Sequence, residues 1–452
     1  MKRVCIIDLP GFSRELLSAV PVDSHLARWL GKQRVATLVP SFPAVTCSVQ
    51  ATLTTGSWPS EHGIIANGLA NYRSPQDQAL VDPANHTEHR LQVSFWEQSN
   101  QLLEQNRFWQ DENGQSRWKT AMLFFQNAMP GFAGQPKPAA DIIITPKPEH
   151  GPNGETISLV WTNPRDLEAK LTADLGPFPL MHYWGPLANI KGSQWIVQAA
   201  AAVWKDHQPQ LQLVYVPHLD YDLQRFGPAS PQAKQAVADV AHALTPLLEQ
   251  LERDGAQIIL LSEYAMEPVD RAIAPNRLFA DVGLLATHEN DDGKVIDYAQ
   301  SRAFAMVDHQ VAHVYVKDQA DLAQVRRILA DAGCEVLDAA KQVALHLDHR
   351  RGGDLVAIAP SGAWLDYRWW REPADAPAFA TTVDIHRKPG YDPLEMFFDP
   401  ATRQIIQDET RIRGSHGRKV AANALIAGSA DVLPGDTVNM VDVAGIVQRA
   451  LG

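Results

Sequence analysis

The chain has 452 residues, 45% hydrophobic and 20% charged, with a formal net charge of −12 at pH 7. That length allows two or three domains, or one large α/β domain with an inserted cap, and the composition excludes a disordered chain. The acidic balance, without any basic run, excludes a nucleic-acid surface but leaves room for a small anionic substrate beside a metal ion. Cys5, Cys47 and Cys334 show no CxxC spacing and read as reduced thiols. The first apolar run, ending at Asp8, is too short for a secretory signal, and no membrane-length apolar stretch follows. A cytoplasmic protein without a membrane partner is therefore expected.

In chain order, β-branched apolar runs predict strands at Val4–Ile7, Val35–Val39, Thr120–Phe125, Asp141–Thr145, Gln212–Val216, Gln257–Leu261, Ala303–Met306, His313–Val316 and Leu355–Ile358. Helices are expected at Ser13–Leu17, Ser48–Thr54, Gly192–His207, Pro231–Arg253 and Asp321–Ala332. Strands alternating with helices predict an α/β fold, with a mostly parallel central sheet covered on both faces and ligands at the carboxyl ends of its strands. Asp8, Asp220 and Glu263 each fall at or just past such an end. Residues 1–265 are read as the core, with excursions over the strand ends at about 71–116 and 146–186. Residues 266–380 are read as an inserted cap or smaller subdomain, and 381–452 as the return to the core.

The densest signal is Pro40-Ser41-Phe42-Pro43-Ala44-Val45-Thr46, followed by Thr54-Thr55-Gly56-Ser57-Trp58-Pro59-Ser60-Glu61-His62-Gly63-Ile64-Ile65-Ala66-Asn67. It sets the Thr46 hydroxyl on a turn between a strand and a helix, at the positive end of a helix dipole. Together with the strand-end Asp8, that arrangement points to a metal-activated hydroxyl and phosphoryl transfer. Further along lie Pro217-His218-Leu219-Asp220-Tyr221-Asp222-Leu223-Gln224-Arg225-Phe226-Gly227-Pro228, then Ser262-Glu263-Tyr264-Ala265-Met266, then Gly414-Ser415-His416-Gly417.

This ordered set resembles the alkaline phosphatase superfamily, and within it the nucleotide pyrophosphatase/phosphodiesterase branch. The resemblance implies an alkaline phosphatase-like three-layer α/β/α sandwich. It implies that Thr46 is the nucleophile and a metal ligand, that Asp8, Asp220 and His416 are ligands, and that Asn67 donates to a non-bridging phosphate oxygen. The branch carries His where this chain has Gln224, and Asp-His where it has Glu263-Tyr264. Glu263 can still hold a cation from a longer reach. An amide oxygen at Gln224 is a weaker, harder ligand than imidazole. Tyr264 is either a ligand or a donor to substrate phosphate. His386, in Asp384-Ile385-His386-Arg387-Lys388, is either a loop residue, a replacement ligand or a substrate-orienting group. His218 and Asp222 would share a face with Asp220 on an extended segment. Asp308-His309 reads as structural in the presumed cap, His62 as a buried hydrogen-bonded residue, and Cys47 as a small buried neighbour of Thr46.

The function expected from the resemblance is metal-dependent hydrolysis of a phosphodiester or pyrophosphate bond through a phosphorylated or nucleotidylated Thr46. Its substrate would be a small phosphorylated molecule such as a nucleotide or nucleotide-sugar. One or two divalent ions are expected, zinc first, with manganese or magnesium suited to an oxygen-rich set. The alternatives are a phosphomonoesterase or phosphonate hydrolase, and a catalytically inactive or regulatory phosphate-ligand-binding protein on the same fold.

Overall fold

The central strands are apolar along their whole length because both faces are covered, and Val4–Asp8 is buried at every position. In the computed structural model, which describes residues 2–80, 92–134, 138–150, 156–419 and 424–452, nine strands form the main sheet. Its order is Thr437–Asn439, Arg34–Val39, Leu425–Gly428, Gln257–Leu261, Val4–Asp8, Leu211–Tyr215, Thr120–Leu123, Ile142–His150 and Thr156–Asn163. The middle of the sheet is parallel, with Asp8 in register with Tyr215 on one side and Leu261 on the other. Antiparallel pairing is confined to Leu425–Gly428 and the edge strand Thr156–Asn163. The expected alkaline phosphatase-like architecture is what the chain adopts, although parts of both excursions, residues 81–91 and 151–155, lie outside the described residues.

Two local expectations need correction. The segment 231–253 is two helices, Pro231–Ala243 and Thr245–Arg253. Pro246 brings no N–H to the ladder and crowds the preceding turn, so the helix restarts there. The segment around Asp220 is a helix, His218–Phe226, rather than an extended run. Asp220 and Gln224 are therefore the pair that share a face, four residues apart.

A second sheet is antiparallel, ordered Ala303–Asp308, Val311–Val316, Leu355–Ile358, Glu335–Leu337. Its core cluster joins residues from 273–391 to Phe42, Ile65 and Phe95, so it packs directly on the segment bearing Thr46. Its first hairpin turns through His309-Gln310, with Asp308 opposite Val311. A short three-stranded sheet, Gly362–Leu365, Glu267–Ile273 and Gly414–Ser415, brings the segment ending at His416 back beside Tyr264. Among the described residues no helix is long and apolar enough to cross a membrane, and all three cysteines are free and buried.

One buried ion pair ties the second sheet's loops to the loop after the Thr46 helix. Arg351 grips Asp77 with two hydrogen bonds, of 2.9 and 3.1 Å, and donates to the carbonyls of Gly63 and Leu102. Both Arg351 and Asp77 are buried. Arg351→Met leaves Asp77 with the half-exposed Arg350 and the Ser74 hydroxyl, and losing the hydrogen bonds to a charged partner costs about 1.5–3 kcal/mol. The expected result is a matching drop in unfolding free energy, read by urea titration.

Candidate active site

Thr46 is the first residue of the helix Thr46–Thr55, which follows the strand Arg34–Val39. The helix has no side-chain N-cap. The N–H of Cys47, in its first turn, instead donates to Asn67 Oδ1 at 2.8 Å. Asn67 is held from its other side by Asp308, which accepts from the Asn67 backbone N–H at 2.8 Å and from Nδ2 at 3.0 Å. The amide keeps one N–H directed elsewhere.

Two carboxyl groups lie at the ends of neighbouring strands beside this turn. Glu263 faces Asp8, Gln50 and Thr46, and both acids are completely buried. None of their four carboxyl oxygens has a hydrogen-bond partner. Burial raises the Asp8 pKa to about 8. Burial, then the charge of Asp8, pushes Glu263 well above the usual carboxylate range.

The third acid is treated differently. Asp220 Oδ1 accepts from the Tyr264 hydroxyl at 3.1 Å, and Oδ2 accepts from Gln224 Nε2 at 2.7 Å. Gln224 Oε1 in turn accepts from the Tyr391 hydroxyl at 2.8 Å. Burial still raises the Asp220 pKa to about 7 against these donors. Burial also holds the Tyr264 phenol protonated, so it acts as a donor. Its hydroxyl is 3.3 Å from Thr46 Oγ1. Because the Tyr264 proton is committed to Asp220, the Thr46 hydroxyl donates to Tyr264.

His416 donates Nδ1–H to the Ala44 carbonyl at 2.8 Å, and its Nε2, 3.8 Å from Asp220 Oδ1, has no hydrogen-bond partner. Its ring stacks on Tyr264 at 3.6 Å and 6°, and on the other side meets His309 at 3.9 Å. The structure thus gathers Asp8, Thr46, Asn67, Asp220, Gln224, Glu263, Tyr264 and His416 around one turn. His386 sits at the rim, with Nδ1 3.3 Å from the carbonyl of Phe95, while the adjacent Trp96 N–H bonds the Asn67 carbonyl. Lys388 is buried on Asp392 and Glu395, 2.8 Å from each. The buried His62 ring contacts Thr52 Oγ1 at 3.0 Å and accepts from the Ile64 N–H, a hydrogen-bonded place below the helix.

Three participants were not singled out as site residues. Asp308 orients Asn67, and His309, bonded through Nδ1 to Asp308 at 2.7 Å, stacks between His416 and Tyr391. His309 has φ +58° at a hairpin position that ordinarily favours glycine. The adjacent Asp-His pair was the available signal, and its assignment to a separate cap concealed its meaning. Tyr391 carried no signal of its own.

The donor chemistry at Asp8 and Glu263 fits a divalent cation: two buried carboxyl groups beside the Thr46 and Gln50 side chains, none of their oxygens held by a well-aligned hydrogen bond. Among the described residues no group of three or more His, Cys, Asp or Glu side chains forms a metal cluster.

Solved structures share the fold. Phosphonoacetate hydrolase from Sinorhizobium meliloti in complex with phosphonoacetate matches at TM-score 0.62 and 14% identity, covering 100% of this chain and 96% of that one. Murine ectonucleotide pyrophosphatase/phosphodiesterase 5, inactive and in complex with AMP, matches at 0.60 and 15%, covering 100% and 95%. The human counterpart matches at 0.59 and 14%, with the same coverage. No curated protein sequence matches the chain. Residues 4–392 match the profile described as Type I phosphodiesterase / nucleotide pyrophosphatase, a span that includes Thr46, Asn67, Asp220, Glu263 and Tyr264. The chain therefore belongs to the type I phosphodiesterase/nucleotide pyrophosphatase family of phosphoric ester hydrolases.

Proposed function

We propose that this protein is a metal-dependent hydrolase of phosphodiester or pyrophosphate bonds that works through an ester of Thr46. The observation that carries this reading is the placement of the Thr46 hydroxyl. It stands at a helix N-terminus, beside two buried carboxyl groups without donors, and at the head of a hydrogen-bond chain to Asp220. Asp8, Glu263 and Thr46 would hold a divalent cation, which supplies a lower hydroxyl pKa and charge neutralisation when bound.

The chain's own residues account for the rest. The Thr46 oxygen forms a bond to phosphorus as the bond from phosphorus to the leaving oxygen breaks, and the leaving group departs with that electron pair. The Thr46 proton passes to Tyr264 as the Tyr264 proton passes to Asp220, whose raised pKa suits it to receive one near neutral pH. Asn67, fixed by Cys47 and Asp308, offers its remaining N–H to an equatorial oxygen. Water then attacks phosphorus as the bond from phosphorus to the Thr46 oxygen breaks; the proton held by Asp220 returns through Tyr264 to that oxygen, and the water's proton leaves with the phosphate product. A small phosphorylated or phosphonate substrate is supported by the AMP and phosphonoacetate complexes of the two structural neighbours.

Thr46→Ala is expected to lower turnover of a nitrophenyl phosphodiester, assayed with manganese(II), by about a thousandfold or more with an unchanged circular dichroism spectrum. Equal turnover in variant and wild type would sink the mechanism. Binding of AMP to a wild type without any turnover would favour the regulatory phosphate-binding alternative.

The carboxyl pair also makes stability depend on pH in a defined direction. An unfolded Asp titrates near 4 and the folded Asp8 near 8, so the folded protein holds the extra proton between those values. That contribution is fully present below about pH 4 and is lost as pH rises to about 8. In metal-free protein, the unfolding free energy of wild type relative to Asp8→Asn should therefore fall over that window. Saturating manganese(II) should suppress the fall, because a bound cation compensates the ionised pair. Urea titrations across pH, with and without the ion, measure both effects.

A further inference from the structure

The region between Asp220 and His416, where the resemblance implies a second metal ion, is filled by a column of four rings. Tyr264 stacks on His416 at 3.6 Å, His416 meets His309 at 3.9 Å, and His309 stacks on Tyr391 at 3.6 Å and 19°. The rings come from four distant segments, and hydrogen bonds close the column from the side. Tyr264 and Gln224 each donate to one oxygen of Asp220, and Tyr391 donates to Gln224.

A cation needs lone pairs, and here two of the groups facing Asp220 turn an O–H and an N–H toward it instead. Each oxygen of Asp220 accepts one hydrogen bond and keeps its second lone pair. Gln224 turns its NH2 toward Asp220, because a carboxylate there demands the donor end of the amide, and its oxygen is occupied by Tyr391. Tyr264 presents a proton rather than a ligating oxygen to Asp220. Asp220 and the unpartnered Nε2 of His416 are left as the ligands, and one carboxylate with one imidazole falls short of the several donors a stable ion requires. The contrast with Asp8 and Glu263, whose carboxyl oxygens hold no well-aligned donor, divides the site into a half built for a cation and a half built without one.

We propose that the protein holds a single divalent cation, at Asp8 and Glu263, and that the Asp220 half is a metal-free platform of stacked rings and hydrogen bonds. Gln224 and Tyr264, two of the positions where this chain departs from the family pattern, are the residues that convert it. His309 and Tyr391 complete it, and the strained His309 backbone is the cost of placing an imidazole at the hairpin tip. The proposal rests on the cation assigned to Asp8 and Glu263 under the proposed function, but it concerns the other half of the site.

The test is metal content of the full-length protein, dialysed against zinc(II) or manganese(II) and measured by plasma mass spectrometry. The expected result is one ion per chain in wild type, none in Asp8→Asn, and one in Asp220→Asn. Two ions in wild type, falling to one in Asp220→Asn, would overturn the metal-free platform and leave the proposed hydrolase standing. No ion in wild type would remove the cation of the proposed function and with it the single-ion count. Electron paramagnetic resonance of the manganese(II) wild type decides the matter even where a variant fails to fold. The spectrum of an isolated ion is expected, and that of an exchange-coupled pair would overturn the proposal.

Discussion

Two carboxyl groups buried side by side, with no well-aligned donor on any oxygen, impose the main constraint on this molecule. Charges so placed are expensive unless a proton or a cation compensates them. Asp8 is put there by the central strand and Glu263 by the turn leaving the strand beside it, so the sheet itself creates the problem. The Thr46 helix then directs its N-terminal end toward the same spot. A hydroxyl among anions, at a positive helix end, is the arrangement that a small electrophilic anion and its counter-cation would share.

Tyr264 belongs to both halves of the site. It follows Glu263 directly, yet its hydroxyl bridges Thr46 to Asp220 and its ring carries His416. Phenol in place of imidazole at this position supplies a donor and a flat stacking face while giving up a ring nitrogen. The neighbouring replacement, Gln224, makes the same exchange of a lone pair for an N–H. The two departures are thus chemically matched: each satisfies one oxygen of a single aspartate.

The motif around Thr46 was legible because its geometry is local. A proline-bounded turn, a helix start and Asn67 lie within about two dozen residues, and the chain between them has few ways to run. The structure brings Asp220 to Tyr264 beside Thr46, but on a helix in place of the expected extended run, and only the helix reveals Gln224 as its partner. The break at Pro246 was visible in the sequence and was overridden by the apolar periodicity on either side of it. For Asp308, His309 and Tyr391 the Asp-His pair is the one local signal, and it does not say where the pair goes. They meet Asn67, His416 and Gln224 because the second sheet packs on Phe42 and Ile65, a tertiary fact. His386 is half-buried and meets the Phe95 carbonyl, while its neighbour Lys388 is buried on Asp392 and Glu395.

The turn before Thr46 is also fastened to the far end of the chain. The Ala44 N–H donates to the Gly417 carbonyl, the Ala44 carbonyl accepts from His416, and the His416 carbonyl accepts from the Gln310 N–H. These straps span hundreds of residues, and the central strand likewise finds its neighbours only at Leu211–Tyr215 and Gln257–Leu261. Closing such long loops carries an entropic penalty before any contact compensates it. On a ribosome, the segment bearing Thr46 would emerge long before its anchors exist. The Thr46 turn therefore takes up its place only when the segment around His416 has joined, so a chain that stops before that segment carries the motif without the straps that fix it.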